Sequence, residues 1–304
     1  LKGDHESGIA TCPYGYDLLQ GSSRSIPYQM VDGEVPSFLG ECMDSSLNDI
    51  DAIFLDLDGT MYLGNHLISG SLEFLERCHQ RGVRRFFLSN NSSRSVTQYL
   101  DKLSSIGISA SADDVLLSTH DLISWLLDHD YSRVYLVGTA GMKGMLEEAG
   151  LTMDAENPEC VVLGYDTEIT YDKIAAASIH LHNGVPMVVS HPDVVCPSPD
   201  GGLPDTGAYM AMFEAATGVK PIHVCGKPQP GMILHKIEAL GLNPSRCAMV
   251  GDRLYTDMAM ATRAGVKGVL VLSGEATEED VAALPEDAEQ RPHLIVQSVD
   301  ELFR

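Results

Sequence analysis

Two carboxylates, Asp56 and Asp58, stand one residue apart at the end of an apolar run over residues 52–55 and just ahead of Gly59 and Thr60. A short apolar run closed by a glycine turn reads as a strand buried on both faces, and ligands bind at the carboxyl edge of sheets built from such strands. Two acids this close repel each other unless a cation lies between them. A hard divalent ion, Mg²⁺ foremost, takes oxygen ligands and completes the pair; a solvated turn or a weak calcium loop is the plainer reading of the same residues.

Other strands downstream end on polar groups. Residues 84–91 read RRFFLSNN and end on Ser89, Asn90 and Asn91; residues 224–230 read VCGKPQP, around a lone Lys227; residues 247–257 read CAMVGDRLYTD and carry Asp252 and Asp257. In chain order these give DxDGT, Ser-Asn, Lys-Pro and GDxxxTD, each at a strand end. The set resembles the haloacid dehalogenase superfamily of aspartate-nucleophile phosphatases, and the resemblance spans about residues 50–304.

A phosphate monoester hydrolyses very slowly in water, so a catalyst must hold a nucleophile in line with phosphorus and neutralise the phosphoryl oxygens. With the resemblance, Asp56 is expected to be the nucleophile that forms an aspartyl phosphate. Asp58 is expected to protonate the leaving alcohol and then to activate water. Lys227 supplies fixed positive charge, Ser89 and Asn90 donate hydrogen bonds to the phosphoryl group, and Arg253 joins that phosphate-binding set. Mg²⁺ is expected on Asp56 and Asp252, and the resemblance adds Asp58 through its main-chain carbonyl. Asp257 is expected behind these ligands, holding Lys227 or a metal-bound water. Plainer readings exist for several of them: a surface-turn lysine, loop and cap residues after a strand, and an acid favoured in a first helical turn by the dipole alone. Ser92, Ser93 or Ser95 is expected to cap the following helix.

The elements that position these groups follow from spacing. Between Asp56 and Ser89 there is room for one loop, an amphipathic helix at about 71–80 and a return strand. Between Asn90 and Lys227 there is far more chain than one or two strand–helix units need, so an independently packed module belongs there. That arrangement resembles the class IIA branch, which is NagD-like and p-nitrophenyl phosphatase-like. The inserted stretch predicts strands at 134–138, 160–166 and 186–190 and helices near 142–148, 171–182 and 207–216, with a strand at 222–225 returning to the core. Beyond it the pattern predicts helices near 230–240 and 254–264 and strands at 266–272 and 293–297; residues 273–292 read as a short helix plus surface loop. The expected fold is therefore α/β: a doubly wound parallel-sheet, Rossmann-like core formed by residues 51–130 and 223–304, with a C2-type α/β cap inserted at 131–222. By resemblance, the cap loop from His191 through Asp205 to Tyr209 reaches the site. Asp193, Asp200 and Asp205 within it read either as contacts to a leaving group or as turn residues.

A formal net charge of −23 disfavours nucleic acid and anionic membranes as partners, and it makes a phosphate approach against the overall field. There is no apolar run of membrane-spanning length and no basic stretch leading into an apolar one at the start, so the cytoplasm is the expected location. Seven cysteines without a CxxC pair fit reduced thiols better than a disulfide framework or a zinc site. Residues 1–50 are rich in Gly, Ser and Pro and lack a period, and are expected to form an irregular extension, either a loose arm or one docked on its own core or a neighbouring subunit. Self-association through that arm or the cap stays open.

The function these observations predict is Mg²⁺-dependent hydrolysis of small phosphorylated metabolites. Transfer of the phosphoryl group to an acceptor other than water is one alternative, and a non-catalytic phospho-ligand-binding protein another. A metal-free dehalogenase on the same fold has no need of Asp58. A silent binding protein would be free to lose Asp56, Asp58, Lys227 or Asp252, and all four are present.

Overall fold

The structure is a computed structural model, and the residues it describes are 47–198 and 201–304. Strand β1 (Ala52–Asp56) is buried along its whole length. Its side chains alternate between two apolar clusters, Ile53 and Leu55 in one and Ala52 and Phe54 in the other. A strand apolar on both faces needs helices on both, and the chain supplies them in turn. A small hairpin of β2 (Tyr62–Leu63) and β3 (His66–Leu67) leads into helix α1 (Ser71–Gln80), at the bounds the sequence predicts. Strand β4 (Arg84–Ser89) returns parallel to β1. Helix α2 (Val96–Ser105) starts on Ser95, which shares a capping box with Gln98 and so fills the cap role that three serines could have taken. Strand β5 (Val115–Leu117) and helix α3 (Ser118–Asp128) follow.

The inserted stretch comprises β6 (Arg133–Val137), α4 (Ala140–Glu148), β7 (Thr152–Met153), β8 (Cys160–Leu163), α5 (Tyr171–His182) and β9 (Met187–Val189). A hairpin of β10 (Val195–Cys196) and β11 (Leu203–Pro204), helix α6 (Thr206–Thr217) and strand β12 (His223–Val224) complete it. The chain then runs through α7 (Gly231–Leu240), β13 (Cys247–Gly251), α8 (Ala259–Ala264), β14 (Lys267–Val271), α9 (Glu278–Ala283) and β15 (Leu294–Val296).

Two parallel sheets result. The larger has the order β15-β14-β13-β1-β4-β5, and the smaller β12-β9-β8-β6-β7. The larger sheet winds outward from β1 in both directions, so the strand order reverses at β1 and a crevice opens beyond its carboxyl end. Phe54 on β1 stacks on Phe86 of β4, with ring centroids 5.2 Å apart; truncating such a buried ring to alanine costs about 3–5 kcal/mol.

The structure departs from the sequence expectations in two places that matter for the site. The strand expected at 222–225 to return to the larger sheet is instead the edge of the smaller one, with His223 and Val224 in register with Val188 and Val189. Helix α3, ahead of the insertion, packs Leu122 and Leu126 into the smaller sheet's apolar cluster, and Trp125 stacks on His223 at 4.7 Å. The helix expected from 254 onward opens as a π-turn over Leu254–Met258, in which Arg253 O accepts from both Asp257 N and Met258 N at 3.2 Å. The irregular extension expected over 1–50 falls, up to residue 46, outside the described residues; Leu47 and Ile50 are buried in a cluster of the larger sheet. Among the described residues no helix is long and apolar enough to cross a membrane.

Candidate active site

Strand β1 delivers Asp56 to the crevice, and the chain turns away at Gly59 in the left-handed region, with φ +88°. A Cβ at Gly59 would lie 2.2 Å from Asp252 Oδ2, and one at Gly274 only 2.0 Å from the same atom. Only glycine lets both backbones close around Asp252. Glu275 N donates to Asp252 Oδ2 at 2.8 Å, and Ser273 Oγ donates to Gly59 O at 2.8 Å, so the start of the segment read as surface loop is part of the wall. Asp252 Oδ1 is buried and has no hydrogen-bond partner among the described residues.

Lys227 is 5% exposed. Its Nζ donates to Asp56 Oδ1 and, at 2.8 Å, to Asp257 Oδ1. The π-turn brings the second oxygen of Asp257 to Arg253 N, 3.1 Å away, so both oxygens of that carboxylate are engaged within the protein. The lysine's main chain is clasped by one amide: Asn90 Oδ1 accepts from Lys227 N at 2.7 Å, and Asn90 Nδ2 donates to Lys227 O at 3.0 Å. The turn before it is closed by Gly226 N donating to Asp121 Oδ2 at 2.8 Å.

The electrostatics follow from this crowding. Burial works against the charge on Lys227, but Asp257 and Asp56 outweigh it and hold its pKa above the ordinary value. Burial, with repulsion from Asp56 and Asp257, pushes Asp252 up to about 7. Asp257 is pushed up to about 6 by burial, with Lys227 opposing. One oxygen from each of Asp56, Asp252 and Asp257 lies within 4.8 Å of the others. Both oxygens of Asp257 already accept from Lys227 Nζ and Arg253 N, whereas Asp252 Oδ1 has no partner among the described residues.

Above this floor lies a cleft of about 240 Å³, lined from the core by Asp56, Asp58, Ser89, Asn90, Lys227 and Arg253. Asp58 is exposed within it, and its pKa is raised mainly by desolvation between the walls; Lys102 opposes the rise and Asp56 adds to it. Ser89 Oγ lies 2.7 Å from Tyr99 Oη and accepts from Asn91 N at 3.2 Å. Arg253 Nε lies 2.9 Å from Glu275 Oε2, an ion pair whose alignment falls short of a hydrogen bond. The six residues expected to line the site are thus brought together, with Asp252 and Asp257 directly beneath. The Asn90 amide braces Lys227, and its Nδ2 also points at Asp193 of the cap loop.

The opposite wall is the loop after β9. Asp193, Val195, Cys196, Pro197 and Asp205 line the cleft from that side. Asp193 accepts from Asn90 Nδ2 at 3.3 and 3.2 Å through its two oxygens. Asp205 answers to the turn reading: it caps α6, accepting from Thr206 N, and lies 2.9 Å from the buried His191 Nε2. Asp200 lies outside the described residues.

Sequence reasoning missed Arg94, Lys102, Tyr62 and Tyr99, all of which line the cleft. Helical spacing held a signal for one of them. Ser95, Tyr99 and Lys102 recur at i, i+4 and i+7, so a face that buries Tyr99 carries Lys102 with it. Lys102 Nζ sits 3.9 Å over the Tyr62 ring.

Comparison with known proteins agrees with this geometry. Residues 53–152 match the family described as haloacid dehalogenase-like hydrolase, and residues 224–302 match the HAD-hydrolase-like family. The acid sugar phosphatase of Staphylococcus aureus is 36% identical over 234 residues, covering 76% of this chain and 89% of the relative. The crystal structure of 4-nitrophenylphosphatase from Thermotoga maritima superposes with a TM-score of 0.80 at 40% identity, covering 85% of this chain and 98% of that one. Glycerol phosphate phosphatase from Mycobacterium tuberculosis, solved in complex with magnesium, gives 0.78 at 28% identity, covering 85% and 78%. On this agreement of sequence, fold and strand-end residues, the chain belongs to the haloacid dehalogenase-like hydrolases, in their NagD-like, p-nitrophenyl phosphatase branch.

Proposed function

We propose that the protein is a Mg²⁺-dependent phosphatase that hydrolyses small phosphate monoesters through a phosphoryl group carried on Asp56. The observation that carries this reading is the division of labour in the floor of the cleft. Lys227 and Asp257 satisfy each other, while Asp252 presents a buried oxygen with no partner beside Asp56. An unpaired carboxylate oxygen in an oxygen-only pocket fits a hard cation. Asp56 and Asp252 would hold Mg²⁺, with the main-chain carbonyl of Asp58 contributed by family resemblance. When bound, the ion neutralises charge on the phosphoryl oxygens and on the attacking carboxylate.

The chain's own groups account for the rest. Asp56 attacks phosphorus; a bond forms from its carboxylate to phosphorus as the bond to the ester oxygen breaks. Asp58, raised in pKa and open to the cleft, gives its proton to that departing oxygen. It then takes a proton from the water that attacks phosphorus, and the bond to Asp56 breaks to free phosphate. Lys227 keeps the Asp56 carboxylate aimed into the cleft and offsets negative charge there. Asn90 holds Lys227 by its main chain, and Ser89 and Arg253 border the phosphoryl end.

The cap, which we assign to about residues 131–224 with core segments on either side, faces the leaving alcohol with its 191–205 loop and excludes water when it closes. The named activities of the relatives, on sugar, nitrophenyl and glycerol phosphates, put small phosphorylated metabolites in the substrate class. A phosphate-release screen over a panel of such esters, with and without Mg²⁺, tests the reading. Release that requires Mg²⁺ and stops with chelator is expected; undiminished release in excess chelator, or release from no ester, would overturn it.

A further inference from the structure

Four cationic side chains line the cleft in a protein with more than twice as many acidic as basic residues, 43 against 20. Two have partners: Lys227 with Asp56 and Asp257, and Arg253 with Glu275. Arg94 and Lys102 make no ion pair or hydrogen bond with another described residue. Lys102 is half-buried, with Tyr62 beneath its ammonium group. Its electrostatic neighbours place it: Asp58 on the core side, Cys196 on the cap loop, and Arg94 as a second positive charge. This is the side of the cleft where the alcohol leaves, since Asp58 is the group that protonates it.

Resting on the phosphatase reading, we propose that Arg94 and Lys102 select substrates whose leaving alcohol carries a second anionic group, a carboxylate or another phosphoryl group. Lys102 is partly desolvated and feels the like charge of the exposed Arg94, and an anion placed between them relieves that repulsion while replacing the hydration Lys102 has lost. Solubility alone gives no reason for such a pair here, because the charge that keeps this protein dispersed is negative. The dipole of α2 does favour a lysine in its last turn, which accounts for Lys102 on that helix but not for Arg94 beside it ahead of the helix start. The cleft is small, about 240 Å³; on its cap side Cys196 and Pro197 are uncharged, while Asp193 and Asp205 carry the acids of that wall. An alcohol of a few carbons would set its second anion within reach of both cations.

Matched esters test this. Glycerol 3-phosphate and 3-phosphoglycerate differ in a hydroxymethyl group against a carboxylate; propane-1,3-diol monophosphate and bisphosphate differ in a second phosphoryl group. In each pair the wild-type kcat/KM is expected to favour the anionic member at least tenfold, and the pair with the larger ratio tells carboxylate from phosphoryl. In the Arg94→Gln/Lys102→Gln double variant that ratio is expected to fall at least tenfold, and Lys102→Arg should restore most of what Lys102→Gln removes. Hydrolysis of an aryl phosphate reports that each variant is folded. If an unfolded variant denies that comparison, the wild-type ratio measured against salt concentration decides, with a decline expected. A wild-type ratio near one, or a ratio that survives both substitutions and salt, overturns the proposal while leaving the phosphatase reading intact. A lack of Mg²⁺-dependent release from all four esters and from aryl phosphate would instead strike at that reading.

Discussion

At the floor of the cleft, Lys227 lies between Asp56 and Asp257 with both oxygens of Asp257 engaged, whereas at its mouth the exposed Arg94 and the half-buried Lys102 line the cleft without an ion pair or hydrogen bond to another described residue. The floor is buried and rigidly referenced to three strand ends. The mouth is assembled from one helix, its preceding loop and a cap hairpin. The difference separates two tasks. Chemistry on the phosphoryl group is common to all esters and is held by charges that cannot move without exposing another buried charge. Choice of the alcohol is left to groups that retain unused capacity.

The largest effect should come from the floor. Asp56→Asn keeps the shape and leaves Lys227 its bond to Asp257, so the fold should persist, while kcat should fall by about ten-thousand-fold or more. Steady-state assays beside circular dichroism check both halves. Residual turnover within a hundredfold of wild type would remove Asp56 from the chemistry. Asp252→Asn should come next, raising the Mg²⁺ concentration needed for half-maximal activity by about a hundredfold or more. The same variant, metal-free, should melt above the metal-free wild type, because it removes a carboxylate that burial, Asp56 and Asp257 all disfavour in charged form. A lower melting temperature would mean that Asp252 is held by something other than a cation.

Much of the floor is legible in the chain. A strand apolar on both faces must end at a sheet edge, so Asp56, Ser89 and Asp252 could be placed without coordinates. The mouth is not legible in that way. Lys102 in a last helical turn looks like a response to the dipole, and Arg94 in SNNSSRS looks like loop; their meeting depends on how α2 lies across the hairpin after β1. Asn90 and Lys227 are 137 residues apart, and no local pattern records that one clasps the main chain of the other. The apolar run at 222–225 has the composition of a core strand, and only its pairing with β9 assigns it to the smaller sheet. Helical period over 254–264 is likewise silent about the one extra residue that turns Asp257 toward Arg253 N.

Smaller effects sharpen the contrast at the mouth. Exchanging residues 191–205 for the loop of a relative with another preference should reorder rates across an ester panel by at least tenfold, about 1.4 kcal/mol, with Mg²⁺ dependence retained. An unchanged ranking in a folded chimera would place selectivity on the core side alone. Smallest is the response to salt. The net charge of −23 by itself predicts that screening helps an anionic ester to bind. The cations at the mouth predict the reverse: between low salt and about 0.1 M, where the Debye length is roughly 10 Å, KM for an ester with a second anion should rise a few-fold, and more than for the matched ester that lacks it. A KM that falls with salt, and falls more for the ester with the second anion, would show that the overall field outweighs the local one.

The central claim, that the phosphoryl group rests on Asp56 between two displacements, is tested most directly by the stereochemical course at phosphorus. A thiophosphate ester made chiral with oxygen isotopes, hydrolysed in isotopic water, should give inorganic thiophosphate with overall retention, because two in-line displacements each invert the centre. Overall inversion would mean that water attacks the ester directly, and Asp56 would then be a ligand or a base but not the nucleophile.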